Sequence, residues 1–160
     1  MLKESKIVRS QLIPLDNMRL VLPNTTVAEV INYESPEKLD KPPKWLMGVI
    51  NWRGISIPVV KFETLSCGKS VAVSNRSRII ILNAMSKSVK QPFYGVLSQG
   101  IPRLMSLNDE SITDSPDKKE LSYVLRSTLI NGDEAVIPDQ NAIEAELGNA
   151  NLSEKKSKKH

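Results

Sequence analysis

The sequence predicts a mainly β protein folded as two small closed sheets with short helices, and three observations carry that expectation. About ten short apolar runs recur along the chain, bounded by Gly, Pro, Asn and Asp turn signals. Only residues 140–147 offer a capped helical stretch. The 160 residues, 40% of them hydrophobic, give room for one core or two small ones. Closure into barrels removes the exposed edges that so many short strands would otherwise leave.

The elements follow in order. Residues 7–15 are apolar with polar interruptions, Asp16-Asn17 is a turn pair, and residues 18–22 resume the apolar pattern, which reads as a hairpin. Pro23-Asn24-Thr25 breaks it, and residues 27–33 offer a third strand. Pro36, Pro42 and Pro43 make residues 35–43 a surface loop. Two apolar runs, 45–50 and 55–60, flank Asn51-Trp52-Arg53-Gly54, a hairpin whose turn uses the backbone freedom of Gly54. The small, polar residues 66–75 suggest a boundary between a first barrel, 7–66, and a second, 76–148, with terminal strands able to exchange.

Beyond that boundary, residues 78–82 form a dense β-branched run, 86–91 a polar loop, and 93–97 and 101–107 two strands joined at Gly100-Ile101-Pro102. Residues 108–120 read as a long polar loop containing Pro116. Asn131-Gly132 is a strong turn dipeptide between strands 123–130 and 134–137. Asp139 is positioned to cap a helix over 140–147 that Gly148 ends. Laying Gly54 on Gly132 aligns two hairpins, each followed by a strand near a proline, Pro58 or Pro138; duplication of a small barrel is one explanation and chance another.

Charge and composition narrow the function. Net charge is +4, but residues 154–159 contribute +3 of it, leaving a nearly neutral body and a basic tail, 149–160, expected to be disordered. No run approaches the roughly 18 apolar residues of a membrane span, and Lys3, Glu4, Lys6 and Arg9 exclude a signal-peptide pattern from the first ten residues. A single Cys67 rules out an internal disulfide and a Cys-rich zinc site, while the one histidine, His160, sits in the tail. Neither a metal nor a cofactor is expected.

Catalysis has little to draw on. A nucleophile needs an activating base, and Cys67, although beside Lys69, has no histidine in the body to serve it. The carboxylate pairs Asp109-Glu110 and Asp133-Glu134 fall in predicted loops or turns, where solvated charge is the ordinary outcome. Gly68-Lys69-Ser70 lacks the glycine five residues earlier that a phosphate loop requires, since Glu63 stands there. Only 4% of residues are aromatic, and Trp45, Phe62, Phe93 and Tyr94 fall in apolar runs, which leaves little for base stacking. Trp52, beside Arg53 in a predicted turn, is the exception.

Residues 43–65 carry a resemblance. Gly48, Val49, Ile50, Asn51, Arg53, Gly54, Pro58 and Val59 match, in register, the Gly-Val-Ile-Asn-Leu-Arg-Gly and Pro-Val signature of the CheW family of chemotaxis coupling proteins. Residues 20–31 and 93–107 are similar to strands of that family's two barrels. Three departures stand out: Trp52 in place of Leu, Lys61-Phe62-Glu63 in place of Asp-Leu-Arg, and an ending over 131–147 that keeps the hairpin but little of the sequence. Variants of this kind are similar to accessory adaptors of systems that control type IV pili and twitching.

The resemblance implies two intertwined five-stranded, SH3-like barrels and no active site. It implies a cytoplasmic adaptor, recruited to membrane receptor arrays, that couples the cytoplasmic tip of methyl-accepting chemoreceptors to the regulatory domain of a CheA-like histidine kinase. Other CheW-like proteins are further candidate partners, and nucleic acid is not expected. On this reading Ile50, Asn51, Trp52 and Arg53 bind partners, while Gly48, Gly54 and Pro58 shape the turn. Two alternatives remain at this stage: Trp52 packs on its own barrel with Arg53 paired to an acid, or the fold is a nucleic-acid-binding β-barrel.

Overall fold

The computed structural model describes residues 7–86, 92–116 and 121–150; the basic tail therefore lies almost wholly outside the described residues. Its elements are β1 (Val8–Pro14), β2 (Arg19–Pro23), a 3-10 turn (Asn24–Thr26), β3 (Val27–Asn32), β4 (Leu46–Trp52), β5 (Ile55–Val60) and α1 (Phe62–Cys67). After these come β6 (Arg78–Asn83), β7 (Phe93–Ser98), β8 (Arg103–Leu107), β9 (Ile112–Asp114), β10 (Val124–Ile130), β11 (Asp133–Pro138) and α2 (Gln140–Asn149).

The strands form two sheets. One has five strands in the order β3-β6-β7-β5-β4, and the other six in the order β8-β1-β2-β11-β10-β9. The expected mainly β, double-barrel architecture is what the chain adopts. The expected boundary at residues 66–75 needs correction, because that segment connects β5 and α1 to β6 within one sheet. Strands β3 to β7 form a contiguous unit, whereas β1 and β2 pair with strands that follow residue 100. Antiparallel β1·β8 and parallel β2·β11 make that long-range join, and no local signal announces such pairing.

Strand alternation sorts side chains into three cores. Ile57, Val59, Ile79 and Ile81 fill the five-stranded barrel, and Leu12, Val21, Leu107 and Ile130 fill the six-stranded one. The opposite faces of the same strands supply the largest cluster, in which Ile13, Leu20 and Leu22 join Val60, Ile80, Leu82 and Val96. Phe62 of α1 and Ile143 and Leu147 of α2 belong to this shared core. Each barrel is thus lined within and glued without.

Three local expectations shift. Residues 108–120 contain a short strand, β9, that pairs with β10. Asp139 caps α2 as expected, its side chain accepting from the Ala142 N–H at 3.1 Å, but the helix runs through Gly148 to Asn149. The hairpin of residues 51–54 tightens to a two-residue turn, because Trp52 already pairs with Ile55.

One buried acid bears on stability. Glu63 is fully buried in α1, and burial pushes its carboxyl above the ordinary value of 4.5; the Asp16 N–H opposes that shift, as does Lys69. The folded protein therefore holds this proton more tightly than the unfolded chain does. Its stabilising contribution is present below the unfolded value and is lost as pH rises through the raised folded value. Glu63→Gln, which cannot ionise, is expected to gain on wild type in urea midpoint as pH rises above the ordinary carboxyl value of 4.5. Parallel pH profiles for the two proteins would refute this.

Candidate functional site

The residues singled out by the sequence lie around the β4–β5 hairpin. Arg53 (φ 51°) and Gly54 (φ 78°) are both left-handed, the signature of a type I′ turn whose twist matches that of the flanking strands. The Asn51 side chain closes the turn, its Oδ1 accepting from the Gly54 N–H at 3.1 Å. The β10–β11 hairpin repeats the geometry with Asn131 (φ 50°) and Gly132 (φ 87°). Asn is at home in a left-handed position, whereas an arginine there costs about 1 kcal/mol. The fold thus keeps a guanidinium at a place where asparagine would be cheaper.

Beneath the turn, alternation drives Ile50 and Trp52 into the five-stranded barrel, 5% and 7% exposed. The Trp52 ring meets Phe93 edge-on, with centroids 4.8 Å apart. Glu29, on β3, joins the two halves of the site. Its Oε2 accepts from the Trp52 Nε1–H at 3.3 Å and its Oε1 from Arg53 Nη2 at 2.7 Å. Arg53 also lies over the Trp52 ring at 4.8 Å from the centroid, while its side chain stays 68% exposed. Since β3 and β4 are the outermost strands in the sheet order, Glu29 draws the open edges together. Paired backbone bonds between Glu37 and Val49, at 2.8 and 2.9 Å, do the same farther along.

The expectation of an exposed aromatic face at Trp52 is therefore corrected: the indole is a wall of its own barrel, and Arg53 pairs with an acid. Asn51 and Arg53 are the members of the predicted set that reach the surface. Gly54 occupies the turn, but Gly48 and Pro58 lie inside strands β4 and β5. Gly48 serves a close approach instead, as its φ of 139° and the nearby Glu37 carbonyl show. Glu29 and Phe93 were not foreseen as part of the site. The available signal for Glu29 was an acid two residues before Ile31 in an alternating strand, on the face of β3 that turns toward the five-stranded barrel's core.

Other candidates do not assemble a reactive centre. Cys67 is exposed, and its thiol donates to the Glu63 carbonyl at 3.2 Å. Lys69 pairs with Asp16 at 3.3 Å and Asp133 with Arg19 at 3.6 Å, both partly exposed pairs of small energetic weight. Among the described residues no group of His, Cys, Asp and Glu is arranged to hold a metal, and no helix is long and apolar enough to cross a membrane.

Fold and site together define a class: a double-barrel β module with a tight, charged hairpin tip. A family model described as CheW-like domain matches residues 10–146, and the chain belongs to that family. Chemotaxis protein CheW of Klebsiella aerogenes is similar at 24% identity over 91 residues, which cover 57% of this chain and 52% of that protein. The match thus spans about half the length of the curated relative. The solved scaffolding protein TtCheW from Thermoanaerobacter tengcongensis shares the fold, with a TM-score of 0.68 at 20% identity over 86% of this chain and 88% of that one.

Proposed function

We propose that this protein is a noncatalytic scaffold of chemotaxis-type signalling, coupling the cytoplasmic tip of methyl-accepting receptors to the regulatory domain of a CheA-like histidine kinase. Family membership supports the scaffold role. The observation that carries the site is Arg53 itself, an exposed guanidinium retained at a left-handed turn position and braced by Glu29 and Trp52. Strain kept where a cheaper residue exists points to a function outside the fold. Asn51 and Arg53 form the contact, while Ile50 and Trp52 support it from below.

Receptor helices find apolar surface on the outer strands. Val30 of β3 is 36% exposed and Leu104 of β8 is 52% exposed; each is in register with a residue one strand inward, Ile80 and Gln11 respectively. On this proposal the protein works in the cytoplasm at receptor arrays, and the resemblance of its Trp52 and Lys61-Phe62-Glu63 departures to accessory adaptors of pilus systems extends it to twitching motility. Nucleic-acid binding finds no support, since Trp52, Phe62 and Tyr94 are buried and offer no stacking platform.

Arg53→Asn separates function from folding. It restores the residue type of the twin turn, and relief of the left-handed arginine offsets the loss of the exposed Glu29 pair, so the unfolding free energy from urea titration is expected to stay within about 1 kcal/mol of wild type. Capture of a CheA-like kinase and a receptor from source extract, identified by mass spectrometry, is expected to fall at least about tenfold, as for a lost interface hot spot. Undiminished capture of both partners by a fully folded Arg53→Asn would end the assignment.

A further inference from the structure

Glu63 and Glu144 take no part in the hairpin site, yet both are fully buried, at 0% exposure. Their placement is reciprocal. Glu63 leaves α1, which follows the five-stranded barrel's β4–β5 hairpin, and its Oε2 accepts from the Asp16 N–H at 2.9 Å in the β1–β2 turn of the six-stranded barrel. Glu144 leaves α2, which follows the six-stranded barrel's β10–β11 hairpin. Its carboxylate accepts from the Met85 N–H at 3.0 Å and the Ser86 N–H at 2.6 Å, between β6 and β7 of the five-stranded barrel.

The sheet orders show that these are equivalent places. Strand for strand, β8-β1-β2-β11-β10 matches β3-β6-β7-β5-β4, and the parallel pair falls at the same step in each, β2·β11 and β7·β5. Hairpins β1–β2 and β6–β7 are thus one hairpin seen twice. Each is held by the helix of the opposite half.

We propose that Glu63 and Glu144 are a reciprocal pair of latches that fix the two barrels relative to each other, and that the two latches differ in what they tolerate. A carboxylate buried in an apolar seam is costly unless it is hydrogen-bonded, so both acids are explained by the loops they grip. Glu144 accepts through both oxygens, and the Tyr94 hydroxyl approaches Oε2 as well, at 3.4 Å. An amide at residue 144 would turn an NH2 group toward a backbone N–H. Glu63 accepts through Oε2, while Oε1 is buried without a hydrogen-bond partner among the described residues. An amide at residue 63 keeps the acceptor facing Asp16. The charged groups around Glu63 are Asp16 and Lys69, and those two pair with each other.

The test combines amide hydrogen exchange with an inter-barrel distance. The distance is read between spin labels at Ser56→Cys on β5 and Ser106→Cys on β8, in a Cys67→Ser background. Glu63→Gln is expected to leave the Asp16 amide protected. Glu144→Gln should speed exchange at Met85 and Ser86 at least about tenfold while the Ile57 and Ile79 amides of the barrel core keep their protection. Glu63→Met should do the same at Asp16, and Glu63→Met with Glu144→Gln should broaden the inter-barrel distance distribution. Should Glu63→Met not fold, the two glutamine variants still carry the comparison. Equal tolerance of the two glutamines would overturn the proposal, as would an unchanged distance distribution in the double variant. A uniform loss of protection in Glu144→Gln would do so too, because it would mark that residue as a general stabiliser rather than a latch.

Discussion

Gly48→Ala is expected to lose at least about 3 kcal/mol of folding stability, enough to leave little native protein. A Cβ built at this position collides with the Glu37 carbonyl oxygen and stands 2.8 Å from its carbon. Both atoms are backbone, and that carbonyl accepts from the Val49 N–H at 2.9 Å, so moving it away breaks one of the bonds that close the barrel. The φ of 139° adds strain for any side chain. Gly54→Ala provides the contrast, since open space surrounds it and only the turn's φ of 78° opposes it, at a cost of about 1 kcal/mol. Urea unfolding of both variants decides the matter. Equal losses would show that the close approach at Glu37 does not matter.

Trp52→Ala is expected to cost about 3–5 kcal/mol, the usual penalty for emptying a large aromatic site in a core. Phe93 loses its edge-on partner, Glu29 loses the indole donor and Arg53 loses the face it lies over. Trp52→Leu, which restores the residue usual in the family signature, fills part of the volume and is expected to cost less than half as much. Thermal unfolding followed by near-ultraviolet circular dichroism reads both variants. A Trp52→Ala protein as stable as wild type would mean that the ring does not carry the barrel. Partner binding by this variant is informative only at temperatures where it is folded, which is why Arg53→Asn is the cleaner probe of the interface.

Much of this was legible in the sequence because hairpins are written locally. Asp16-Asn17, Arg53-Gly54 and Asn131-Gly132 each mark a real turn, and Asp139 a real cap. The burial of Trp52 was also encoded, in its two-residue spacing from Ile50. Treating residues 51–54 as one four-residue turn hid that alternation, which continues to the last ladder pair, Trp52 with Ile55. What the chain did not disclose is partnership at a distance. Nothing in the run of β1 says that it lies beside β8, nor does α1 advertise that Glu63 reaches the β1–β2 turn. Those choices follow from which apolar faces remain uncovered once the hairpins have formed, a property of the assembled molecule. Strand β9 is not legible in the sequence, because three residues in a polar stretch carry too little periodicity.

The division of strands has a consequence for the order in which the molecule matures. Strands β3 to β7 are complete once residue 98 has left the ribosome, so one barrel can condense while synthesis continues. The β1–β2 hairpin, though made before that barrel, must wait for β8 and β11 before either of its flanks is covered. During that interval its apolar strands are exposed, and Leu20 and Leu22 have only the nascent five-stranded barrel to rest on. The hairpin made before the five-stranded barrel is therefore secured after it.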